Sequence, residues 1–380
     1  MPPRSSPWAC SPPVTWRRRY PIGSVDPNTC AATRSASRRG YGPATRSSAG
    51  LGSSRSTATS PTSCSRRAGE ARGRKVSDSK RKRSRSRARP TWSWYKTKEV
   101  LVGLNAELVG KDYGKKTYEV TEEAIERYAR ATNDENERYL GGGDTVAPPI
   151  FPVVPAFESF MAASMDPELQ ADVLRLVHGA EEHVLHSPIK PGDTLNVESV
   201  LESVEQKDTG ETFTVKATET NQNGDVVAEV RGTMFIRGSG GGGRADTAQT
   251  DEPERLIVHE DTTKVDDDQT QRYAEASGDH NPIHLDEKVA RMAGLPRTIN
   301  HGMCTMAIAV KGAVNGLAGG DPTRVRRAGV RFSKPVFPGQ ELTTRFWKES
   351  EGGGTTVYGF ETYNPDGAAV IKNGIVEIAD

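Results

Sequence analysis

From residue 98 onward, hydrophobic and polar positions fall into two rounds with the same order. In the first, a strand-like TYEV at residues 117–120 runs into Thr121 and the pattern EEAIERYARAT. Thr121 is a good N-cap, and the apolar positions after it recur at helical spacing. An apolar helix follows at roughly residues 155–165, PAFESFMAASM. Three long runs then alternate apolar and polar: LNVESVLESVEQ, TFTVKATETNQ and, after an Asn223-Gly224 turn, DVVAEVRGTMFI. Such runs with such turns predict antiparallel hairpins. In the second round TTKV leads into Asp266, with Gln269 three residues on, a capping-box-like helix start. An apolar helix at residues 302–317 follows, then ELTTRFWKES, TTVYGFETY, a Pro365-Asp366-Gly367 turn and AAVIKNGIVEI. Each round reads as an α+β module, one central helix wrapped by a curved antiparallel sheet.

The residues repeat as well as the pattern. Tyr128 through Leu140 lies without gaps over Tyr273 through Leu285, and Tyr, Ala, Ala, Asp, Asn and Leu coincide. Ser187 through Leu195 lies likewise over Lys334 through Leu342, so the two matches have offsets of 145 and 147 residues. Two matches at nearly one offset indicate a tandem duplication. The expected organisation is a first module at residues 97–237, a Gly-rich polar connector at 238–254 and a second module at 255–380.

Charge separates the chain differently. Residues 1–95 hold 21 Lys/Arg against Asp26, Glu70 and Asp78, which leaves 30 basic and 47 acidic side chains for the rest. The acidic body argues against nucleic-acid binding by the folded part, because phosphate contacts need clustered Lys and Arg. Residues 1–96 are rich in Arg, Ser, Pro, Gly and Ala without hydrophobic periodicity, so they are expected to be a disordered basic tail. KRKRSRSRAR at residues 80–89 could serve as a nucleic-acid arm or localisation signal, and the whole segment also resembles an organellar transit peptide. The favoured expectation is translation of GC-rich sequence upstream of a true start, with folded function beginning near Thr97. Only Cys304 lies in the body, so no disulfide framework forms there; a reducing cytoplasm is expected. No apolar run approaches about 18 residues, so no membrane span is expected.

The chemistry concentrates in residues 273–303, YAEASGDHNPIHLDEKVARMAGLPRTINHGM. Asp279 stands five residues before His284 with an Asn281-Pro282 turn between them, and His301-Gly302 opens the apolar helix. A carboxylate and an imidazole that reach one water make an acid/base pair. A helix start with a glycine presents a free N–H to a developing oxyanion. Taken singly, Asp279 reads as a loop cap and His284 as a packed histidine; their joint occurrence with His301-Gly302 favours a working site.

The stretch resembles the signature of the MaoC-like (R)-specific enoyl-CoA hydratase family, Y-A-x-x-S-G-D-x-N-P-I-H-x-D followed later by I-x-H-G-M. The matching residues are Tyr273, Ala274, Ser277, Gly278, Asp279, Asn281, Pro282, Ile283, His284 and Asp286, then Ala290, Gly294, Ile299, His301, Gly302 and Met303. The resemblance implies a tandem, or double, hotdog. It also implies syn hydration of trans-2-enoyl thioesters of coenzyme A or acyl carrier protein to (R)-3-hydroxyacyl thioesters. Asp279 and His284 would be the catalytic pair, and Gly302, Asn281 and His301 would face the oxyanion or substrate, with Asn281 fixing the turn as the alternative and His301 holding the turn before the helix. Neither metal nor redox cofactor is expected. The expected partner is a small-molecule thioester, with a pseudo-dimer inside one chain and a homodimer of such chains left open.

In the first copy Tyr139 stands at the position of His284 and Glu137 at that of Pro282. Ala147-Pro148-Pro149-Ile150-Phe151-Pro152 offers no His-Gly, and proline has no N–H to donate. That copy keeps the scaffold and loses the acid/base pair. Phe151, Phe157, Phe160 and Met161 read as core, with an acyl-cavity lining as the alternative. His178, His183 and His186 read as structural, and Cys304 as a small buried residue. Competing functions are an acyl-CoA thioesterase and a non-catalytic acyl-thioester-binding subunit, because one fold serves many chemistries.

Overall fold

The computed structural model describes residues 103–238 and 255–380. The chain divides into two units, Met1–Pro90 and Thr91–Asp380, and all described residues lie in the second. The expectations for the basic tail, residues 1–96, and for the connector from residue 239 to 254 lie outside the described residues.

The first round of the sequence folds as β1 (Asp112–Glu119), α1 (Glu122–Ala131), α2 (Val153–Ser164), β2 (Leu176–Leu185), β3 (Thr194–Lys207), β4 (Gly210–Thr220) and β5 (Val226–Arg237). The second repeats that order, with one extra short helix. It runs β6 (Ile257–Lys264), α3 (Gln269–Ser277), α4 (Glu287–Met292), α5 (Gly302–Gly316), β7 (Val325–Phe332), β8 (Glu341–Gly352), β9 (Thr355–Tyr363) and β10 (Ala369–Ala379). All ten strands form one antiparallel sheet in the order β1-β3-β4-β5-β2-β7-β10-β9-β8-β6. Read from either end, the same sequence of roles appears, so a pseudo-twofold axis passes between β2 and β7. This is the double hotdog.

Local chemistry sets the boundaries. The Thr121 side chain accepts from the Ala124 N–H and starts α1, which buries Ala124, Ile125, Tyr128 and Ala129 on one face. At α3 the expected capping box forms only by half. The Gln269 side chain accepts from the Asp266 N–H at 3.0 Å, but the Asp266 carboxylate is drawn to Arg272 Nη2 at 2.7 Å. The helix therefore begins later, after Asp268, which makes no side-chain cap. Helix α5 carries buried residues on nearly every side, whereas α2 buries one face, Val153, Ala156, Ser159, Phe160 and Ala163, and leaves Glu158 and Ala162 exposed. Phe151 and Phe160 lie in the core, whereas Phe157 and Met161 are half-buried.

The halves meet along β2 and β7, whose register runs from Ala180↔Arg331 to Val184↔Arg327. Across the outer face Arg327 Nε donates to Glu182 Oε1 at 2.7 Å. The inner face is sealed by α1 against α3. There Tyr128 and Tyr273, equivalent residues of the two copies, face each other with ring centroids 5.8 Å apart. Asn133 Nδ2 donates to Gln269 Oε1 at 2.9 Å, and Arg272 Nη1 donates to the Arg130 carbonyl at 2.6 Å, tying the two helix ends together.

Candidate active site

The turn between α3 and α4 is built by short polar side chains reading their own backbone. Gly278 ends α3 in the left-handed conformation, φ 80°, which glycine adopts without strain. The Asp279 N–H donates to Ser277 Oγ at 3.2 Å, and the Asn281 N–H donates to Asp279 Oδ1 at 3.1 Å. Asn281 Oδ1 in turn accepts from the Ile283 N–H at 3.3 Å and opens a one-turn 3₁₀ helix, Pro282–His284. Asp279 thus spends one carboxylate oxygen on the turn and keeps the other. The Asn281 Oδ1 caps the turn, and its amide nitrogen stays exposed.

The 3₁₀ turn swings His284 inward, where it is 7% exposed. Its Nδ1 lies 2.8 Å from the Ile299 carbonyl oxygen. A carbonyl only accepts, so Nδ1 carries the proton and Nε2 keeps the lone pair in the neutral ring. Burial pushes the His284 pKa below its ordinary value, and the Asp279 charge and the Ile299 carbonyl oppose that shift without reversing it.

His301 lies beneath this pair. Its ring stacks on His284 with centroids 3.8 Å apart, and its Nε2 donates to the Asp279 carbonyl at 3.0 Å. It is 1% exposed. The expectation that His301 faces substrate therefore meets a buried side chain, and its geometry matches the other expectation, a residue holding the turn. Burial and the neighbouring His284 keep its pKa well below the usual histidine value. Tyr273 backs His301 at 4.9 Å, and Tyr128 and Phe151 continue the column at 5.8 and 5.5 Å into the first half. A carboxylate oxygen of Asp279 and a ring nitrogen each of His284 and His301 lie within 4.8 Å of one another. Two hydrogen bonds of about 2.8 Å through one water span such a gap.

The same three residues invite a metal reading. Two of the four imidazole nitrogens, His284 Nδ1 and His301 Nε2, donate to carbonyls. His301 Nδ1 is buried without a partner, and its ring lies flat against His284. That leaves one carboxylate and one outward imidazole lone pair, short of the three protein ligands of a catalytic zinc site. The donor set does not fit a resident metal.

Helix α5 supplies the third element. His301 precedes it without a side-chain cap, and the Gly302 amide at its first position donates to no acceptor among the described residues. The turn before it is pinned by the Asn300 N–H donating to the Val336 carbonyl at 2.7 Å. A Cβ on Gly302 would lie 3.3 Å from the ring of Phe332, tighter than ordinary contact. Phe332 thus walls the glycine, a role that Lys334-Pro335 a few residues on did not announce. Nor did sequence reasoning find the Ile299 carbonyl, because backbone acceptors carry no side-chain signature. Burial pushes the Cys304 thiol up to about 12, so it is no thiolate nucleophile.

The first copy repeats the turn's two side-chain caps, although the Asp134 N–H donates to the Ala129 carbonyl at 2.9 Å where Asp279 uses Ser277 Oγ. The Asn136 N–H donates to Asp134 Oδ1 at 3.1 Å, and Asn136 Oδ1 accepts from the Arg138 N–H at 3.0 Å before a 3₁₀ turn at Glu137–Tyr139. Its helix start differs. The Val153 and Val154 amides donate to the Ile150 and Phe151 carbonyls at 3.3 and 2.8 Å. The first copy therefore lacks both the imidazole and the free leading amide.

With this geometry in place, likeness to known proteins is informative. The MaoC like domain matches residues 248–366, and the FAS1-like dehydratase domain region matches residues 107–230. The 3-hydroxyacyl-thioester dehydratase Y of Mycobacterium tuberculosis is 34% identical over 213 residues, covering 53% of this chain and 72% of the relative. The chain belongs to the MaoC-like dehydratase family. The peroxisomal enoyl-CoA hydratase 2 of Arabidopsis thaliana is 28% identical over 218 residues, 52% of this chain and 70% of that one. A MaoC-like dehydratase structure from Phytophthora capsici superposes with a TM-score of 0.62 at 26% identity, over 73% of this chain and 98% of that one. A double-hotdog protein of Mycobacterium tuberculosis, 12% identical with a TM-score of 0.51 over 71% of this chain and 96% of that one, shares the fold. This MaoC-like chain is a hydro-lyase. Among the described residues no helix is long and apolar enough to cross a membrane.

Proposed function

We propose that the chain hydrates trans-2-enoyl thioesters reversibly, at one site built from Asp279, His284 and the Gly302 amide. The carrying observation is the gathering, within 4.8 Å, of an Asp279 carboxylate oxygen and a ring nitrogen each of His284 and His301, with the His284 lone pair fixed on Nε2. His284 Nε2 takes a proton from that water as its oxygen adds to the β-carbon. Charge flows to the thioester carbonyl oxygen, where the Gly302 amide and the N-terminal dipole of α5 stabilise the enolate. A proton then returns to the α-carbon on the same face, giving the (R)-3-hydroxyacyl product, and dehydration runs the steps backward. Asp279 holds the water and stabilises the imidazolium. The step needs neither electron transfer nor a Lewis acid, so no cofactor enters it.

The names of the relatives, a 3-hydroxyacyl-thioester dehydratase and an enoyl-CoA hydratase, support this reading. Coenzyme A and acyl carrier protein present the same thioester, and either carrier suits the mechanism. The pseudo-dimer within the chain completes the groove that a lone module leaves open.

Incubation with crotonyl-CoA tests the proposal. Loss of the enoyl absorbance without release of free thiol is expected. Thiol release would mean hydrolysis, and no change across enoyl chain lengths would refute the reading.

A further inference from the structure

Three polar side chains of β2 gather on the inner side of the seam. Glu181 is 2% exposed and accepts from His178 Nε2 at 2.9 Å and from His183 Nε2 at 3.2 Å. Burial alone pushes the Glu181 carboxyl up, but the two imidazoles outweigh it and hold it below the usual carboxylate range. Glu181 and His183 face inward by ordinary strand alternation. His178 joins them because the register against β5 slips between His178 and Ala180. A bulge of this kind re-aims the residue beside it.

The duplication shows what the fold requires at these positions. The pairs Glu181↔Val330 and His183↔Ala328 map onto each other through the pseudo-twofold. Glu181 therefore corresponds to Ala328, His183 to Val330, His178 to Val325 and Phe332 to Leu185. The bulge itself recurs, since β7 slips against β10 between Val325 and Arg327. Beside the silent site, then, the fold manages with alanine and two valines from β7 and leucine from β2. Leu185 and Val325 line a cleft there with Pro148, Pro149 and Pro152. Burying a carboxylate with two imidazoles carries a desolvation cost that apolar residues avoid. The fold does not need it.

The cluster leads to one place. The ring edge of His178 meets Phe332, with centroids 5.0 Å apart and planes at 61°. Phe332 is the ring set 3.3 Å from where a Gly302 Cβ would stand. We infer that the catalytically silent half lends the live site a positioning residue: His178, turned inward by the bulge and held by Glu181, sets the Phe332 ring that packs on the Cα side of Gly302 and so orients its amide. With the ring in place the amide faces the thioester and not bulk water. With the ring free to turn, water competes for the donor and the carbonyl loses its fixed approach.

The inference rests on the hydratase reading, and crotonyl-CoA kinetics separate the two. His178→Ala is expected to lower kcat about tenfold with KM within about twofold, the scale of a slightly misplaced oxyanion donor. His178→Gln, whose amide still donates to Glu181, should restore kcat to within about threefold of wild type. Phe332→Ala should resemble His178→Ala, and the double variant should be no slower than the slower single one, because both remove the same support. Multiplying losses, or failure of His178→Gln to rescue, overturns the inference. So does a fall in Tm with normal kcat, which marks a merely structural role. Absence of wild-type turnover refutes the hydratase reading and the positioning role with it. Intact wild-type turnover with multiplying losses removes the positioning role alone.

Discussion

Residues 134–154 and 279–303 occupy the same place in two copies of one module and open with the same turn, yet they present different chemistry. Both begin with an aspartate whose Oδ1 accepts from the amide two residues on, and both continue through an asparagine-capped 3₁₀ turn. They part at two points. Where the second copy turns His284 inward, the first buries Tyr139, and where the second opens a helix on a free Gly302 amide, the first folds its leading amides back onto Ile150 and Phe151. Conserved turn geometry therefore belongs to the scaffold, and catalysis depends on which donor and which lone pair the turn leaves unspent.

The sharpest way to break this contrast is to remove the unspent groups. Asp279→Asn and His284→Ala should each lower turnover at least about a hundredfold, the lower end for an acid/base group. Near-normal initial rates from either variant would end the mechanism. Gly302→Pro deletes one N–H at a helix position that tolerates proline, and a loss of roughly a hundredfold in kcat is expected. Gly302→Ala controls for crowding against Phe332 and should lose much less.

Protonation probes the same pair. His284 is displaced downward by burial, so its base form persists below the ordinary histidine value of 6.5. The acid limb of kcat/KM should fall at a pH below 6.5, and a limb above that value would contradict the buried neutral ring. The smallest effect belongs to the silent copy. Burial pushes the Asp134 carboxyl up to about 6 from 3.8. A raised carboxylate favours folding below 3.8, and that contribution is lost as pH rises through about 6. Asp134→Asn should therefore raise stability at pH 8 by about 2 kcal/mol, measured by urea unfolding, with crotonyl-CoA turnover nearly unchanged. A large loss of turnover would mean that the two copies are less separate than their chemistry indicates.

Much of this was legible in the residues. Alternation in β3 to β5 and β8 to β10, the Asn-Gly and Asp-Gly turns and the repeat at one offset are local signals, and local signals predict hairpins well. The seam strands were harder. Residues 325–332, VRRAGVRF, show no clean alternation, because β7 buries Ala328, Gly329 and Val330 in succession. For the site, Asp279, His284 and Gly302 stood out through spacing. The Ile299 carbonyl, Phe332 and the His178–Glu181 contact did not: the first is a backbone acceptor in a loop, Phe332 reaches His178 only through the packed seam, and His178 turns toward Glu181 only through a bulge. His301 was legible as the residue that holds the turn before the helix, and its buried ring and bond to the Asp279 carbonyl suit that role.

The seam between β2 and β7 lies within one polypeptide. Two separate subunits sharing such a border would part on dilution, and their groove would come and go with protein concentration. Here the partner surface is tethered, at an effective concentration that no dilution of the sample alters. Specific activity should stay flat from micromolar to picomolar enzyme, and the two copies are free to drift apart in sequence without losing each other.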